Sequence, residues 1–276
     1  MIYFVLGVLG LCFGSFVSAL TWRMHELSKE TNKGKVKSQK TRDLSIVSGR
    51  SMCPHCKHQL EWYDLLPLVS WLSLGGRCRY CKKPVSWQYP VLELTTAGLF
   101  ILSYLAWPYG FTTQGIIMFA GWLVALVGLI ALAVYDLRWM LLPNKLVYPL
   151  TAFWATIILI LAVFYQGSLM PFAGGLVIGG LFWLIFQVSG GRWIGGGDVK
   201  ISFLLGMLAG GMPQALAVIF LASIIALICI SPSLVLGKLK PTSRIPFGPF
   251  LITSAVIIFL SHDILDHLIN TYIYTY

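Results

Sequence analysis

Asp136 and Asp198 are the two residues whose type and setting point most directly to chemistry. Each lies beside an apolar segment, although only ten of the 276 residues are acidic. An ionisable group at membrane depth costs about 2.5 to 3.5 kcal/mol, and such groups are usually kept for function. Two carboxylates held close together in a low-dielectric site share one proton near neutral pH, which supplies a base and an acid. Such a pair can activate a water molecule against a peptide carbonyl and protonate the leaving amine.

The glycines that precede Asp198 support this interpretation. The run Gly195-Gly196-Gly197-Asp198 allows a substrate backbone to approach closely and permits a non-helical turn at membrane depth. We therefore predict Asp136 and Asp198 as the catalytic pair, with Gly195, Gly197 and Lys200 as supporting residues.

A purely structural alternative exists for the same residues. In it, Asp136 pairs with Arg138 or Lys145. Asp198 caps the N-terminus of the sixth apolar helix, and Lys200 only lies at the membrane interface. Because both aspartates are predicted on one side of the membrane, and one closes a Gly-Gly-Gly-Asp run, the catalytic interpretation is favoured.

Four cysteines form two pairs with metal-ligand spacing, Cys53-Pro54-His55-Cys56 and Cys78-Arg79-Tyr80-Cys81. Twenty-one residues separate the pairs, a little more than is usual for four thiolates that hold one Zn²⁺. A complete four-cysteine shell leaves no open position for water, so the metal would fold the loop rather than catalyse. We predict Cys53, Cys56, Cys78 and Cys81 as structural zinc ligands. Unmetallated thiols, or a histidine (His55 or His58) in place of one cysteine, are the alternatives.

Residues 62–71, between the cysteine pairs, read Trp-Tyr-Asp-Leu-Leu-Pro-Leu-Val-Ser-Trp and are unusually apolar for a loop. They either dock the loop on the membrane surface, with indoles at headgroup level, or form a small core around the metal. Glu93, at the start of the next helix, is either a stabilising N-terminal carboxylate or a functional one.

The composition places these residues in a polytopic membrane protein, since 57% of residues are hydrophobic, 11% are charged and mean hydropathy is +0.79. About 20 helical residues span the hydrocarbon core. We predict an all-α fold with about eight transmembrane helices and a small cytoplasmic zinc-binding module between the first two. The predicted spans are 1–22, 91–107, 114–134, 146–165, 172–189, 199–211, 214–236 and 247–268. The corresponding domains are 1–22 (first helix), 23–90 (cytoplasmic loop) and 91–270 (a transmembrane peptidase domain). Segment 199–211 is short and glycine-rich, so we expect a re-entrant or tilted helix packed through small residues.

Orientation follows from the lysines and arginines, because short cytoplasmic loops carry the positive excess. Residues 23–90 hold thirteen of the twenty basic residues, which predicts that this loop faces the reducing cytoplasm, where stable disulfides are rare. With eight helices and both termini outside, the other seven also fall on cytoplasmic turns: Arg138, Lys145, Arg192, Lys200, Lys238, Lys240 and Arg244. Topology and contact with anionic lipid therefore explain the net charge of +10, and no nucleic-acid partner is needed.

The motifs together resemble those of the type IV prepilin peptidases, membrane aspartic proteases of the GxGD class, over nearly the whole chain. The resemblance is carried by Gly14-Ser15-Phe16 with Arg23, the two cysteine pairs, Tyr135-Asp136 with Leu142-Pro143, Gly195-Gly196-Gly197-Asp198-Val199-Lys200, and Pro246-Phe247-Gly248-Pro249-Phe250.

This resemblance implies that Asp136 and Asp198 are catalytic and that the four cysteines bind zinc. It implies cleavage of type IV prepilins and pseudopilins after a glycine that ends a short basic leader, on the cytoplasmic side of the bacterial inner membrane. Many members also methylate the new N-terminus with S-adenosylmethionine. Here a valine and a serine follow Gly14-Ser15-Phe16 where asparagine is common, the stretch 29–50 is long, and Asn144 replaces a frequent acidic residue. No glycine-rich fingerprint locates a cofactor pocket. A proton-coupled transporter and a non-catalytic scaffold of a secretion complex are the competing interpretations.

Overall fold

The computed structural model describes residues 1–32, 49–237 and 245–273. Within these ranges the chain is helical, with two isolated β-bridges, Met52 with Gln59 and Arg77 with Pro84. The chain divides into two compact units, Met1–Leu105 (unit 1) and Ala106–Tyr276 (unit 2). Most of the lysine-rich stretch 29–50 lies outside the described residues, as do the predicted cytoplasmic residues Lys238, Lys240 and Arg244.

Unit 1 pairs two long helices on either side of the cysteine-containing loop. Its elements are α1 (Ile2–Asn32), a 3₁₀ turn (Trp62–Leu65), α2 (Val69–Ser73) and α3 (Gln88–Leu105). Helix α1 packs closely on α3 through glycine, because a Cβ on Gly14 would lie 2.6 Å from the Cα of Glu93. Helix α1 continues to Asn32, beyond the predicted transmembrane span 1–22, so the position at which it leaves the membrane stays a prediction. Hydropathy marks where the apolar stretch ends, whereas backbone hydrogen bonding decides where the helix ends.

Unit 2 is a helical bundle. Its helices are α4 (Thr113–Trp139), α5 (Asn144–Tyr165), α6 (Met170–Ser189), α7 (Gly196–Ala209), α8 (Met212–Val235), α9 (Gly248–Leu260) and α10 (His262–Ile273). The buried ring of Trp122 on α4 stacks on Phe259 of α9, with ring centroids 3.9 Å apart. The predicted last span, 247–268, is wrong in its length. Helix α9 ends at Leu260, and the chain re-enters helix at the polar pair His262-Asp263.

The chain is a multi-pass membrane protein. Among the described residues, five helices are long and apolar enough to cross a bilayer: α1 within Ile2–Lys29, α4, α5, α6 and α8. Helices also occupy the three other predicted segments, α3, α7 and α9. At 14 and 13 residues, α7 and α9 rise about 20 Å each, which is less than the hydrocarbon thickness of about 30 Å. Membrane crossing by α3, α7 and α9 therefore stays a prediction.

Helix α7 packs through small residues, as predicted. A Cβ on Gly206 would collide with the carbonyl oxygen of Gly174 on α6, so the two backbones touch. Most of α7 is buried, including Ile201, Leu204 and Leu205, which are fully inaccessible. This packing fixes the position of the start of α7, where Asp198 lies.

Candidate active site

Asp136 lies in the last turn of α4, where the helix ends in a fixed geometry. Met140 caps α4 in the left-handed conformation, with φ of 51°, and its N–H donates to the carbonyl oxygen of Asp136 at 2.8 Å. The Asp136 side chain is buried, and its Oδ2 atom has no hydrogen-bond partner in the described structure. A buried polar atom without a partner costs about 1 to 3 kcal/mol, so this oxygen calls for a functional explanation.

Asp198 lies in the first turn of α7 and is half-buried. Gly195 is the N-cap residue of that helix, and the N–H of Asp198 donates to its carbonyl oxygen at 3.1 Å. The alternative in which Asp198 caps the helix is therefore wrong. The start of this helix packs closely on the turn after α4, because a Cβ on Gly197 would lie 3.1 Å from the Cβ of Leu142.

The two aspartates lie close together in unit 2, although 62 positions separate them in the sequence. The negative charge of Asp136 acts directly on the Asp198 carboxylate. Helices α5 and α9 each pack against both α4 and α7, so they hold the two aspartate-bearing helix ends together.

The start of α9 contributes a third helix end to this site. A Cβ on Gly248, the first residue of α9, would lie 2.6 Å from Asp136 Oδ2, so only glycine fits there without displacing the carboxylate. The backbone N–H of Gly248 also interacts with the Asp136 carboxylate. The N-termini of α7 and α9 carry partial positive charge, which favours anionic side chains or intermediates beside them.

Lys200 is held by neighbours on α5. Its Nζ donates to Asn144 Oδ1 at 2.9 Å and lies 5.9 Å from the centroid of the Tyr148 ring. Asn144 directly follows Pro143, the N-cap residue of α5, two positions after Leu142. Lys200 therefore links the start of α7 to the turn between α4 and α5. It does more than lie at the membrane interface, as the structural alternative has it.

The four cysteines of unit 1 converge on one point. Their Sγ atoms all lie within 4.8 Å of one another, and the Sγ atoms of Cys53 and Cys81 are 3.9 Å apart. Sulfurs about 2.3 Å from a tetrahedral metal lie roughly 3.8 Å apart, so this spacing fits one ion.

The two cysteine pairs have the same backbone geometry. In the first, the N–H of Lys57 donates to the Cys53 carbonyl at 2.9 Å; in the second, Lys82 donates to Cys78 at 3.0 Å. Lys57 and Lys82 each have φ of 58°, which turns the chain back after the second cysteine. Each local sequence therefore builds a compact knuckle that presents two sulfurs on the same side.

The surroundings of the cluster shift the pKa values of two of its thiols in opposite directions. Burial raises the pKa of the Cys53 thiol to about 11. Burial also acts to raise the pKa of Cys78, but the backbone N–H groups of Cys81 and Tyr80 outweigh it and lower the pKa to about 7. The ring of His58 lies against Tyr80, with centroids 3.7 Å apart. The four cysteines alone thus form the metal-compatible set found in the described residues.

Comparisons with known proteins match two family models to the chain. Residues 8–107 match the bacterial peptidase A24 N-terminal domain, and residues 123–231 match the type IV leader peptidase family. The prepilin leader peptidase/N-methyltransferase of Pseudomonas aeruginosa is 32% identical over 93% of this chain and 89% of its own length. The chain belongs to the type IV leader peptidase family.

Two further relatives align with most of the chain. A prepilin leader peptidase/N-methyltransferase of Stutzerimonas stutzeri is 30% identical over 88% of this chain and 85% of its own length. The type 4 prepilin-like proteins leader peptide-processing enzyme of Escherichia coli is 32% identical over 88% of this chain and 87% of its own length. No solved structure matches the chain.

In this leader peptidase family member, the structure brings Asp136, Asp198, Gly195 and Gly197 to one place and holds Lys200 beside it. Gly248 and Asn144 are the residues whose contacts the sequence did not predict. The sequence did contain a signal for Gly248, because a glycine between Phe247 and Pro249 at a helix start indicates close approach of the backbone to another group.

Proposed function

We propose that this chain is a membrane aspartic endopeptidase that removes the basic leader from type IV prepilins and pseudopilins. Asp136 and Asp198 are the catalytic pair. The observation that carries this proposal is the buried, unpartnered Oδ2 of Asp136 beside a second carboxylate. The family membership and the names of the relatives support the same substrate class.

In the proposed reaction, the two carboxylates share one proton. The ionised carboxylate accepts a proton from water as the water oxygen attacks the scissile carbonyl carbon. The protonated carboxyl donates a hydrogen bond to the carbonyl oxygen as negative charge develops there. The tetrahedral intermediate then collapses, the C–N bond breaks, and the leaving amine takes a proton from the pair.

The supporting residues act on geometry. Gly195 leaves room for the substrate backbone at the start of α7, and Gly197 lets this helix start pack closely on Leu142. Lys200, anchored on Asn144, fixes the first turn of α7 against the turn that follows Asp136. The backbone N–H of Gly248 holds the Asp136 carboxylate from the side of α9.

The proposed topology places the scissile bond at the cytoplasmic face of the bacterial inner membrane. Basic residues lie near both aspartates, with Arg138 and Lys145 around the end of α4, and Lys200 at the start of α7. The positive-inside rule puts these turns, and the cysteine module, in the cytoplasm. A basic leader that stays in the cytoplasm ahead of an apolar helix presents its junction at the same level.

The cysteine module is proposed to bind one structural Zn²⁺ through Cys53, Cys56, Cys78 and Cys81. Zinc would supply the link between the two knuckles, and these thiolates would hold it as a closed shell. The sulfur spacing supports this assignment.

Methylation of the new N-terminus with S-adenosylmethionine is a second proposed activity, supported by the N-methyltransferase in the relatives' names. Unit 1 contains a cavity of about 250 Å³, whose lining includes Arg23, Ser15 and Ser51. Its lining residues carry no carboxylate for the sulfonium or ammonium cation of that cofactor, so the cavity does not fit it. We assign no residue to the methyl donor.

The test is cleavage of a purified type IV prepilin by the enzyme in detergent, run beside Asp198→Asn. Cleavage after the leader glycine by the parent protein alone is the expected result. Absence of cleavage by a folded, zinc-containing parent protein would reject the proposal and favour the transporter and scaffold alternatives.

Mass spectrometry of the product, with S-adenosylmethionine added, tests the second activity, since methylation adds one methyl group to the new N-terminus.

A further inference from the structure

The loop segment 62–72 of unit 1 exposes large apolar side chains instead of burying them around the metal. Trp62 is 73% exposed, Val69 62% and Leu72 67%, and Leu66 is also exposed. The small-core alternative for this segment is therefore wrong, because a core would remove these side chains from solvent. Exposed apolar clusters of this kind mark interaction surfaces.

The middle of the segment lies deep along the pair of long helices. The N–H of Leu68 donates to Glu93 Oε2 at 2.8 Å, and the Cα of Glu93 abuts Gly14 of α1. The apolar part of α1 ends at Trp22, eight residues after Gly14, so this contact lies about 12 Å below the polar end of the span at 1.5 Å per residue. Leu65 and Pro67 line the cavity beside α1 at the same depth.

Both ends of the segment return to interface level. The Trp71 ring packs on Trp87, with centroids 4.2 Å apart, and Trp87 directly precedes α3. Arg23 Nη2 lies 3.5 Å from Ser51 Oγ, which places the first knuckle beside the polar end of the α1 span. The chain therefore runs from the first knuckle towards the membrane interior at residues 65–69 and returns to interface level through α2.

We infer that residues 62–72 form a wedge inserted into the cytoplasmic leaflet and covered by phospholipid acyl chains. Two features favour lipid as the occupant. The exposed apolar face of α3, which includes Val91 and Leu94, is continuous with Trp87 at the cytoplasmic end of the helix, and Trp87 is 69% exposed. The second knuckle exposes Arg77, Lys82 and Lys83, whose positive charge suits anionic headgroups, whereas Arg79 is paired with Asp64 at 2.7 Å. The inference rests on the membrane topology and does not depend on the peptidase activity.

The wedge also explains why Glu93 is buried. Non-helical backbone at membrane depth is tolerated only where its polar groups find partners within the protein. Leu68 has φ of 58° and ψ of −49°, outside helical geometry, and the Glu93 carboxylate accepts its N–H. Glu93 therefore positions the wedge through Leu68, while the same carboxylate also interacts with the Ser15 side chain of α1.

Bromolipid quenching of tryptophan fluorescence tests the wedge in the full-length protein reconstituted into phosphatidylglycerol-containing vesicles. The signal of Trp62 is obtained as the difference between the parent protein and Trp62→Phe. Trp122→Phe is the matched control, because Trp122 is fully buried in unit 2. A Leu66→Trp variant adds a reporter at the tip. Zinc content is measured in every variant to confirm that the module is folded.

We expect the Trp62 signal to be quenched by lipids brominated near the glycerol end of the chain and protected from aqueous acrylamide. The Leu66→Trp signal should be quenched more by lipids brominated farther down the chain. Acrylamide quenching without bromolipid quenching would overturn the wedge. Quenching of Trp62 by neither reagent would also overturn it, since protein rather than lipid would then cover the segment.

A pair of Glu93 variants tests the positioning role separately. Glu93→Gln keeps an oxygen acceptor for the Leu68 N–H, and we expect the Trp62 quenching pattern of the parent protein. Glu93→Leu removes the acceptor, and we expect Trp62 to become accessible to acrylamide while zinc is retained. An unchanged pattern in zinc-bound Glu93→Leu would reject the role of Glu93.

Discussion

The cysteine cluster of unit 1 and the aspartate pair of unit 2 are both sets of titratable side chains, but they differ in what they leave unsatisfied. The four sulfurs face one another and leave no open side once a metal is held. Asp136 instead keeps a buried oxygen without a partner, and Asp198 is only half-buried. Side chains that satisfy one another around a metal, as the four cysteines would, stabilise a fold. Side chains with an unsatisfied oxygen, as in the aspartate pair, can still bind a reacting group.

The two sites also differ in how the sequence builds them. Each cysteine knuckle is local, closed by hydrogen bonds over four or five residues. The aspartate site joins three helix ends that are distant in sequence. A change in a knuckle should therefore damage the metal site and its own loop, while a change near the aspartates should reduce cleavage and leave the zinc in place.

The largest expected effect is loss of the proposed zinc ion. Cys53→Ser removes one thiolate from the closed shell, and structural zinc sites of this type are worth about 10 to 16 kcal/mol of binding free energy. We expect zinc in the purified protein to fall from about one ion per chain to a trace amount, measured by atomic emission spectroscopy. Cys12→Ser is the matched control, because Cys12 lies on α1 outside the cluster. Stoichiometric zinc in Cys53→Ser would contradict the four-cysteine site.

Replacing one carboxylate of the proposed catalytic pair should have the next largest effect. Asp136→Asn preserves shape but removes the proton-transfer capacity of the pair, and we expect cleavage to fall by about a hundredfold to ten-thousandfold. Zinc content and membrane insertion should stay unchanged. Asp263→Asn, an exposed carboxylate of unit 2, should cleave like the parent protein. If Asp136→Asn and Asp263→Asn cleave equally well, the pair is not catalytic.

Displacing the carboxylate without removing it should cost less. In Gly248→Ala the new methyl group meets Asp136 Oδ2, and a misplacement of about 1 Å can lower a rate about a hundredfold. Gly195→Ala is the milder comparison, since its Cβ would lie 3.4 Å from Asp198 Oδ2. Prepilin cleavage rates of the two variants should fall in that order. A Gly248→Ala enzyme as active as the parent protein would mean that Asp136 can move freely.

The same contrast explains what the sequence could predict. The CxxC spacing implies the knuckles because their geometry is local, and the Gly-Gly-Gly-Asp run marks a helix start for the same reason. The approach of Gly248 to Asp136 spans 112 positions, and no periodicity or spacing reports such a contact. The predicted last span, 247–268, does not match one helix, because apolar content does not determine where backbone hydrogen bonds stop.

Residues 62–72 show a further limit. Their composition was compatible with either a small core or a membrane-facing surface, because both bury aromatic and aliphatic side chains. The exposure of Trp62, Val69 and Leu72 decides against the small core, and the Leu68 N–H to Glu93 contact shows how far the loop extends along α1 and α3. That depth is set by the packing of Gly14 against α3, which is a property of the folded unit.

The smallest expected effect concerns Lys200, which supports the aspartate site without belonging to the pair. Lys200→Met removes the solvent-exposed hydrogen bond to Asn144, so we expect cleavage to fall only about two- to fivefold. Lys200→Arg should recover part of the rate, because a guanidinium can still donate to Asn144. Lys145→Met is the control for lost charge alone, since Lys145 is exposed on the neighbouring helix. Equal losses in Lys200→Met and Lys145→Met would show that charge, rather than the link from α7 to α5, is what supports the site.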